Sequence, residues 1–293
     1  MILEKLSAWC LKKTMKFTLF AIIPAFMLLA FTGSNEATVS QLGSVNEASI
    51  EQVGSANYTA LEQEGAGSNA DVAQAGGDHY ADIVQQGSHE VFIEQQGSGN
   101  RATVVQQEGD SQGSFPPGSG DSVPFMNGSD GMYTSSAYID QIGEDNVVSL
   151  GQYGSHYAEI YQDGSGNQAN VMQSGYGSGI PFDPPGKGSP SPPPFSNGYE
   201  GSGSVAMIHQ EGDDNVINLN QDGSHYAAVE QHGGGNQAEI NQYYGNNGAD
   251  YGSYAWITQH GADNMVDVHQ YGGGHSAVVD QFGNGNTAIV IQR

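Results

Sequence analysis

Apolar and polar residues alternate along most of this chain with a period of two, and the alternation restarts every 10 or 11 residues. A glutamine marks each restart: Gln41, Gln52, Gln63, Gln74, Gln85, Gln95 and Gln106, then Gln141, Gln152, Gln162 and Gln173. The series continues with Gln210, Gln221, Gln231 and Gln242, and ends with Gln259, Gln270, Gln281 and Gln292. Two residues before each stands Val, Ile or Leu, as in Val39, Ile160 and Val290. Four before stands Ala in most rows, as in Ala37, Ala158 and Ala288, and six before stands Asn, Ser or His. A period of two belongs to a strand with one patterned face and one free to vary. The variable face carries acids and tyrosines, for example Tyr157, Glu159 and Tyr161.

Most rows end in a glycine two residues past the glutamine: Gly43, Gly54, Gly65, Gly143, Gly154, Gly164, Gly212, Gly223, Gly233, Gly261, Gly272 and Gly283. Glycine there predicts a turn that needs positive φ. After Gln106 and Gln242 the glycine comes one residue later, at Gly109 and Gly245. In the last three blocks the residue six before the glutamine runs Ser135, Asn146, His156, Asn167; Ser204, Asn215, His225, Asn236; Ser253, Asn264, His275, Asn286. Rows therefore alternate in kind, and two rows, about 22 residues, make one winding.

One row carries a single apolar stripe and cannot bury it alone. Two rows joined by a tight turn can face each other, and stacking such arches brings equivalent rows about 4.8 Å apart. The expected fold is all-β, a two-sheet parallel β-solenoid of nine to ten windings with Pro/Gly-rich loop insertions. Odd rows form one sheet and even rows the other. An inward glutamine needs partners for its amide, and the same residue above and below supplies them. The same logic applies to Asn146, Asn167, Asn215, Asn236, Asn264 and Asn286.

The organisation along the chain follows. Residues 33–109 hold seven rows, and 135–175, 204–245 and 253–293 hold four each. Between them lie insertions at 110–134, 176–203 and 246–252; every proline after residue 32 lies in the first two, as a ladder needing each N–H requires. Segments such as Asp183-Pro184-Pro185-Gly186 read as flexible or polyproline-like loops. Each insertion follows an Asn row and precedes a Ser row, so all three are expected at one corner.

Residues 1–32 read as a secretory signal peptide. Lys12, Lys13 and Lys16 precede an apolar run from Phe17 to Phe31 broken by Pro24, too short for a comfortable membrane span. Met15 offers an alternative start, and cleavage is expected between Ala30 and Glu36. Removal takes four of the seven basic residues and one acid. What remains is 31 acids against Arg101, Lys187 and Arg293, a formal charge of −28. Nucleic acid is a poor partner for such a surface. The single cysteine, Cys10, leaves with the leader, so no disulfide holds the mature chain.

Candidate chemistry is sparse. His79, His89, His156, His225 and His275 could be metal ligands, but alternate rows of one sheet sit about 10 Å apart, so hydrogen bonding in the Ser position is the preferred reading. Asp213-Asp214 and Glu144-Asp145 read as solvated turn residues, because no calcium-loop spacing with a closing Glu is present. Gly233-Gly234-Gly235 lacks the following Lys of a phosphate loop. No catalytic triad stands out from the repeats, and no cofactor is implied.

The repeats resemble the curlin family, the subunits of curli fibres of Gram-negative bacteria, whose motif is close to S-x5-Q-x-G-x2-N-x-A-x3-Q. Ser204, Gln210, Gly212, Asn215 and Gln221 follow it, with Ile217 in the Ala position, and Gln162, Gly164, Asn167, Ala169 and Gln173 follow its second half. The resemblance covers residues 35–292 apart from the insertions. The departures are the Pro-rich insertions, the histidines in half of the Ser positions and the number of rows. The resemblance implies a secreted, non-enzymatic subunit, of the major or the nucleator type, that forms cell-surface fibres of the biofilm matrix. It implies as partners further copies of the chain, a nucleator subunit and an outer-membrane secretion channel. With no capping helix expected at either end, row 286–292 of one copy would template row 35–41 of the next, faster at acid pH or high salt. A monomeric solenoid binding polysaccharide or ice is the competing reading, but its outward face should be regular, and here it is not. A β-helix polysaccharide-cleaving enzyme would need larger coils and a basic or metal-bearing cleft.

Overall fold

The computed structural model describes residues 29–31, 34–108, 135–175, 203–243 and 252–293. The expected insertions at 110–134, 176–203 and 246–252 lie outside the described residues apart from Gly203 and Gly252, as does the leader apart from Leu29–Phe31. Gly109 and Gly245 lie outside them too.

Every repeat row forms a strand. One sheet runs β1 (Leu29–Phe31), β3 (Glu47–Ser55), β5 (Asn69–Gly77), β7 (Glu90–Ser98), β9 (Ser136–Glu144), β11 (Tyr157–Ser165), β13 (Val205–Asp213), β15 (Tyr226–Gly234), β17 (Tyr254–Ala262), β19 (Ser276–Phe282). The other runs β2 (Glu36–Ser44), β4 (Tyr58–Ala66), β6 (Tyr80–Gln86), β8 (Arg101–Gln107), β10 (Val147–Tyr153), β12 (Gln168–Ser174), β14 (Val216–Asp222), β16 (Gln237–Tyr243), β18 (Met265–Tyr271), β20 (Thr287–Gln292). The chain is thus the expected all-β, two-sheet parallel solenoid, with successive rows falling in alternate sheets. Register keeps equivalent residues opposite one another: Gln162 pairs with Gln141 on one side and Gln210 on the other.

The core is one apolar layer shared by the two sheets. Most strands send inward one small residue and one branched residue, such as Ala158 and Ile160, both buried, while Val91, Val148, Ile217 and Val266 take the small position in β7, β10, β14 and β18. These columns run the length of the molecule, with Ala137, Ala158 and Ala206 adjacent in one and Ile139, Ile160 and Ile208 in the next. β-branched side chains suit this pleated, half-buried setting.

The turns explain the uneven spacing of the glutamines. Among the described residues the glycine that follows a row sits at positive φ, for example 112° at Gly143 and 125° at Gly164. Rows spaced by 11 add a second positive-φ residue two positions later, either a glycine such as Gly166 (68°) or Val45 (59°), Ala56 (59°), Asp78 (59°), Asp145 (54°), Asp214 (56°) and Asp263 (58°). The Gly-Ser-His turns at Gly87, Gly154 and Gly223 omit this residue, and there the glutamines are 10 apart. Asp145 and Asp214, weighed above as calcium ligands, are therefore residues that hold a left-handed turn.

One short strand falls inside the expected leader. β1 pairs in parallel with β3, Leu29 opposite Ile50 and Phe31 opposite Gln52, and so lies on the first edge of that sheet.

Candidate functional site: polar ladders and open edges

Two kinds of polar column flank the apolar core. In the first, each glutamine Nε2 donates to Oε1 of the glutamine in the next row of the same sheet. The distances run from 2.6 Å (Gln41 to Gln63) to 3.0 Å (Gln85 to Gln106), with 2.9 Å from Gln141 to Gln162 and 2.7 Å from Gln162 to Gln210. The same amide also donates across to the opposite sheet, as from Gln162 to the carbonyl of Val147 at 3.3 Å and from Gln173 to that of Tyr157 at 3.0 Å. One side chain thus ties successive rows together and fastens one sheet to the other. The column has a direction, because every amide points toward the C-terminal end. The interior glutamines are buried, where an amide needs its partners, and at the first edge the buried Oε1 of Gln52 is left without a hydrogen bond among the described residues.

The second kind of column sits at the corners. Asn146, Asn167, Asn215, Asn236, Asn264 and Asn286 line one corner, and each of the first five uses Oδ1 to accept the backbone N–H of the next. Asn146 accepts from Asn167 at 3.0 Å and Asn167 from Asn215 at 3.1 Å. Their Nδ2 groups donate to carbonyls of the turn glycines, Gly164 from Asn146 at 3.0 Å and Gly212 from Asn167 at 2.6 Å. The first five corner side chains therefore hold the turn glycine of the next winding in place, and Asn286 donates to the carbonyl of Phe282 instead.

At the other corner serine and histidine alternate: Ser68, His89, Ser135, His156, Ser204, His225, Ser253 and His275. The serine hydroxyls donate to turn glycines, at 2.6 Å to Gly154 and Gly223. The Nδ1 atoms of His89, His156 and His225 accept the backbone N–H of Ser135, Ser204 and Ser253 at 3.1, 3.0 and 3.0 Å. Their Nε2 atoms meet the carbonyls of Gln86, Tyr153 and Asp222 at 2.7, 2.9 and 2.8 Å. Since Nδ1 accepts, Nε2 carries the proton and the ring is neutral. Burial lowers all three imidazoles, His156 to about 4, while the carbonyl of Tyr153 raises it somewhat and His89 lowers it further. His79 differs from the other four: it stands in the Asn corner, its N–H donating to Asn57 Oδ1 at 3.2 Å. Sequence reasoning assigned it with the Ser positions because the early rows follow the alternation loosely.

The turn glycines are required by space as well as by φ. A Cβ at Gly43, Gly54, Gly143, Gly164, Gly212, Gly233 or Gly261 would run into the carbonyl of the glycine stacked on it. Gly65 and Gly154 meet looser surroundings, and nothing in their row blocks Gly272 or Gly283 as closely. Gly223 lies at φ 120°. The second positive-φ position was missed from the sequence, although the recurrent Gly or Asp just before the corner asparagine marks it.

At the C-terminal end β19 and β20 have a strand neighbour on one side only among the described residues. Gln281 and Gln292 donate to the carbonyls of Met265 and Ser276, and the glutamine column goes no further. Val278, Phe282, Ile289 and Ile291 are exposed on these strands. Among the described residues no helix is long and apolar enough to cross a membrane.

A family model described as the curlin associated repeat matches residues 32–65 and 261–293, which carry the first rows and the last. No curated protein matches the chain. The intervening rows, which lie outside the matched segments, stack in the same register on the same columns as these.

Proposed function

We propose that this chain is a secreted structural subunit that assembles end to end into extracellular curli-type amyloid fibres of the biofilm matrix. The observation that carries this reading is the edge at β19 and β20, which has no further strand beside it among the described residues and presents a directed glutamine column and exposed apolar side chains. An unprotected edge of this kind is a template for another strand. The next copy offers rows of the same pattern at β2 and β3. Its Gln41 and Gln52 stand where the Oε1 acceptors for Gln292 and Gln281 would be. Under this reading β1 leaves with the signal peptide, and its departure opens the β3 edge.

The remaining assignments follow from the same resemblance. The fibre would be displayed at the surface of a Gram-negative cell after passage through an outer-membrane channel, with a nucleator subunit as partner. The chain would act as a scaffold, with no catalytic role. A charge of −28 on the mature chain opposes assembly, with a screening length of about 8–10 Å at physiological salt, so salt should shorten the lag.

The test is to purify the chain without residues 1–32, incubate it and look for fibres by electron microscopy. Deleting residues 286–293 should slow thioflavin-detected growth strongly. Growth unchanged by that deletion would count against templating through β20, and a chain that stays monomeric at all salt concentrations would favour the surface-binding solenoid.

A further inference from the structure

Parallel in-register stacking brings tyrosines of successive windings face to face. Tyr58 and Tyr80 stack with ring centroids 5.1 Å apart and planes 12° apart. Tyr243 and Tyr271 do the same at 5.6 Å and 15°. A third pair, Tyr226 and Tyr254, lies at 5.3 Å and 12°. The first two stacks end in an arginine: the guanidinium of Arg101 lies 5.0 Å from the Tyr80 ring, and that of Arg293 lies 5.9 Å from the Tyr271 ring. Only three basic residues follow position 32, and both arginines serve in this way. A cation over an aromatic face is attracted by the ring quadrupole, so each arginine helps hold its tyrosine pair parallel.

We propose that Tyr58–Tyr80 and Tyr243–Tyr271 are oxidative cross-linking sites, each closing one winding of the solenoid through a dityrosine bond. The co-reactant is a peroxide used by a haem peroxidase. Each phenol gives up one electron and one proton to become a phenoxyl radical. The two radicals join through ortho carbons, and both rings return to phenols by proton shifts. Two hydrogens are lost in all, and they reduce one hydrogen peroxide to two waters. Stacked rings hold the ortho carbons together before oxidation, so coupling needs no encounter between chains. In a chain whose only cysteine is Cys10, this is a route to covalent cross-links that disulfides cannot supply. Such a staple restricts the unfolded chain as a disulfide does.

The placement makes the prediction specific. The strands at the two ends, β1, β2 and β3 at one and β19 and β20 at the other, contain no tyrosine, so cross-links between these stacked pairs form within a copy and not across the joint between copies. The proposal holds for a folded single copy as for a fibre, and so does not stand or fall with assembly.

The test treats the folded full chain with a haem peroxidase and hydrogen peroxide, with a parallel sample in denaturant. Dityrosine fluorescence is measured and linked peptides are mapped by mass spectrometry. The expected result is Tyr58–Tyr80 and Tyr243–Tyr271 linkage in the folded sample, with the chain still monomeric on a denaturing gel. The double variant Tyr58→Phe with Tyr243→Phe should lose most of the signal, at least threefold. Linkages spread equally over Tyr138, Tyr153 and Tyr161, or covalent dimers as the main product, would overturn the proposal. So would a linkage map identical in the folded and denatured samples.

Discussion

Gln95 donates its side-chain amide to Oε1 of Gln141 at 2.8 Å, although the two are 46 positions apart in the chain. The preceding rung, Gln74 to Gln95, has the same length across 21 positions. Gln162 reaches Gln210 over 48 positions at 2.7 Å. The register across each insertion is thus the same as the register without one. Loop closure costs only slightly more as a loop lengthens, so long excursions are tolerated where the rungs on both sides are intact.

The first prediction concerns this ladder. Gln162→Leu removes the acceptor used by Gln141 and the donors used by Gln210 and the Val147 carbonyl. Buried groups left without partners cost about 1–3 kcal/mol each, so a loss on the order of 3 kcal/mol is expected. Gln292→Leu, at the open end with no further rung, should cost less than about 1 kcal/mol in the single copy. Guanidinium unfolding of the soluble chain before assembly compares the two. Equal losses would mean that the amides are not the source of interior stability.

The turns give a pair of opposite predictions. Gly143→Ala places a methyl group against the carbonyl of Gly164, at φ 112°, where no rotation relieves it. That variant should fail to complete its windings and show reduced strand signal by circular dichroism. Val45 is a β-branched residue held at φ 59° and is exposed, so nothing packs against it to justify the strain. Val45→Asn should raise stability by about 1 kcal/mol, since Asn adopts this conformation more readily. A lower denaturation midpoint for Val45→Asn would contradict the strain assignment.

Much of the architecture can be read from the chain because period and identity agree. The two-residue alternation of Ala158, Ile160 and Gln162 specifies a strand and its inward face. The Asn/Ser/His alternation specifies two rows per winding. The direction of the amide column was not legible, because a repeated glutamine is compatible with either polarity; the cross-sheet bond from Gln162 to Val147 selects one. The role of Asp145 and Asp214 was obscured because acids in a loop fit many readings. Only the backbone angle distinguishes a left-handed turn residue from a solvated acid or a ligand. The Tyr–Tyr–Arg stacks were hidden for a different reason: they join the variable faces of rows that the winding brings together, across 22 residues for Tyr58 and Tyr80 and 28 for Tyr243 and Tyr271.

The core is thin enough to discriminate small changes. Ala158 is stacked between Ala137 and Ala206 and fully buried, so Ala158→Leu has no space to enter. Overpacking of this kind costs about 1–3 kcal/mol and here acts on both sheets. Ile160→Val removes one methylene from a buried column and should cost about 0.5–1.5 kcal/mol. Thermal or guanidinium unfolding should rank the leucine variant below the valine variant; the reverse order would indicate an inter-sheet gap wide enough to accept larger side chains.

Acid should act on the histidine corner. His89, His156 and His225 are neutral rings whose Nδ1 accepts a backbone N–H, and a proton on that nitrogen would set donor against donor. Burial lowers each of them, His156 to about 4. The charged groups that bear on them are Asp222, which partly offsets the shift at His225, and His89, which adds to the shift at His156. The unfolded rings titrate near 6.5, and the folded ones below it. Their contribution is therefore complete above pH 6.5 and declines as pH falls toward 4, because the unfolded chain takes up protons that the folded chain resists. Protonated carboxylates work in the opposite sense by relieving repulsion between copies, so stability of the single copy and speed of assembly should respond differently to acid. Asparagine performs the same two bonds in the facing corner, where Asn167 donates to Gly212 and accepts from Asn215. Replacing His89, His156 and His225 together by Asn should leave the midpoint at pH 8 within about 1 kcal/mol and remove much of the fall between pH 8 and pH 4. If the triple variant loses as much stability in acid as the natural chain, the carboxylates and not the imidazoles control its acid response.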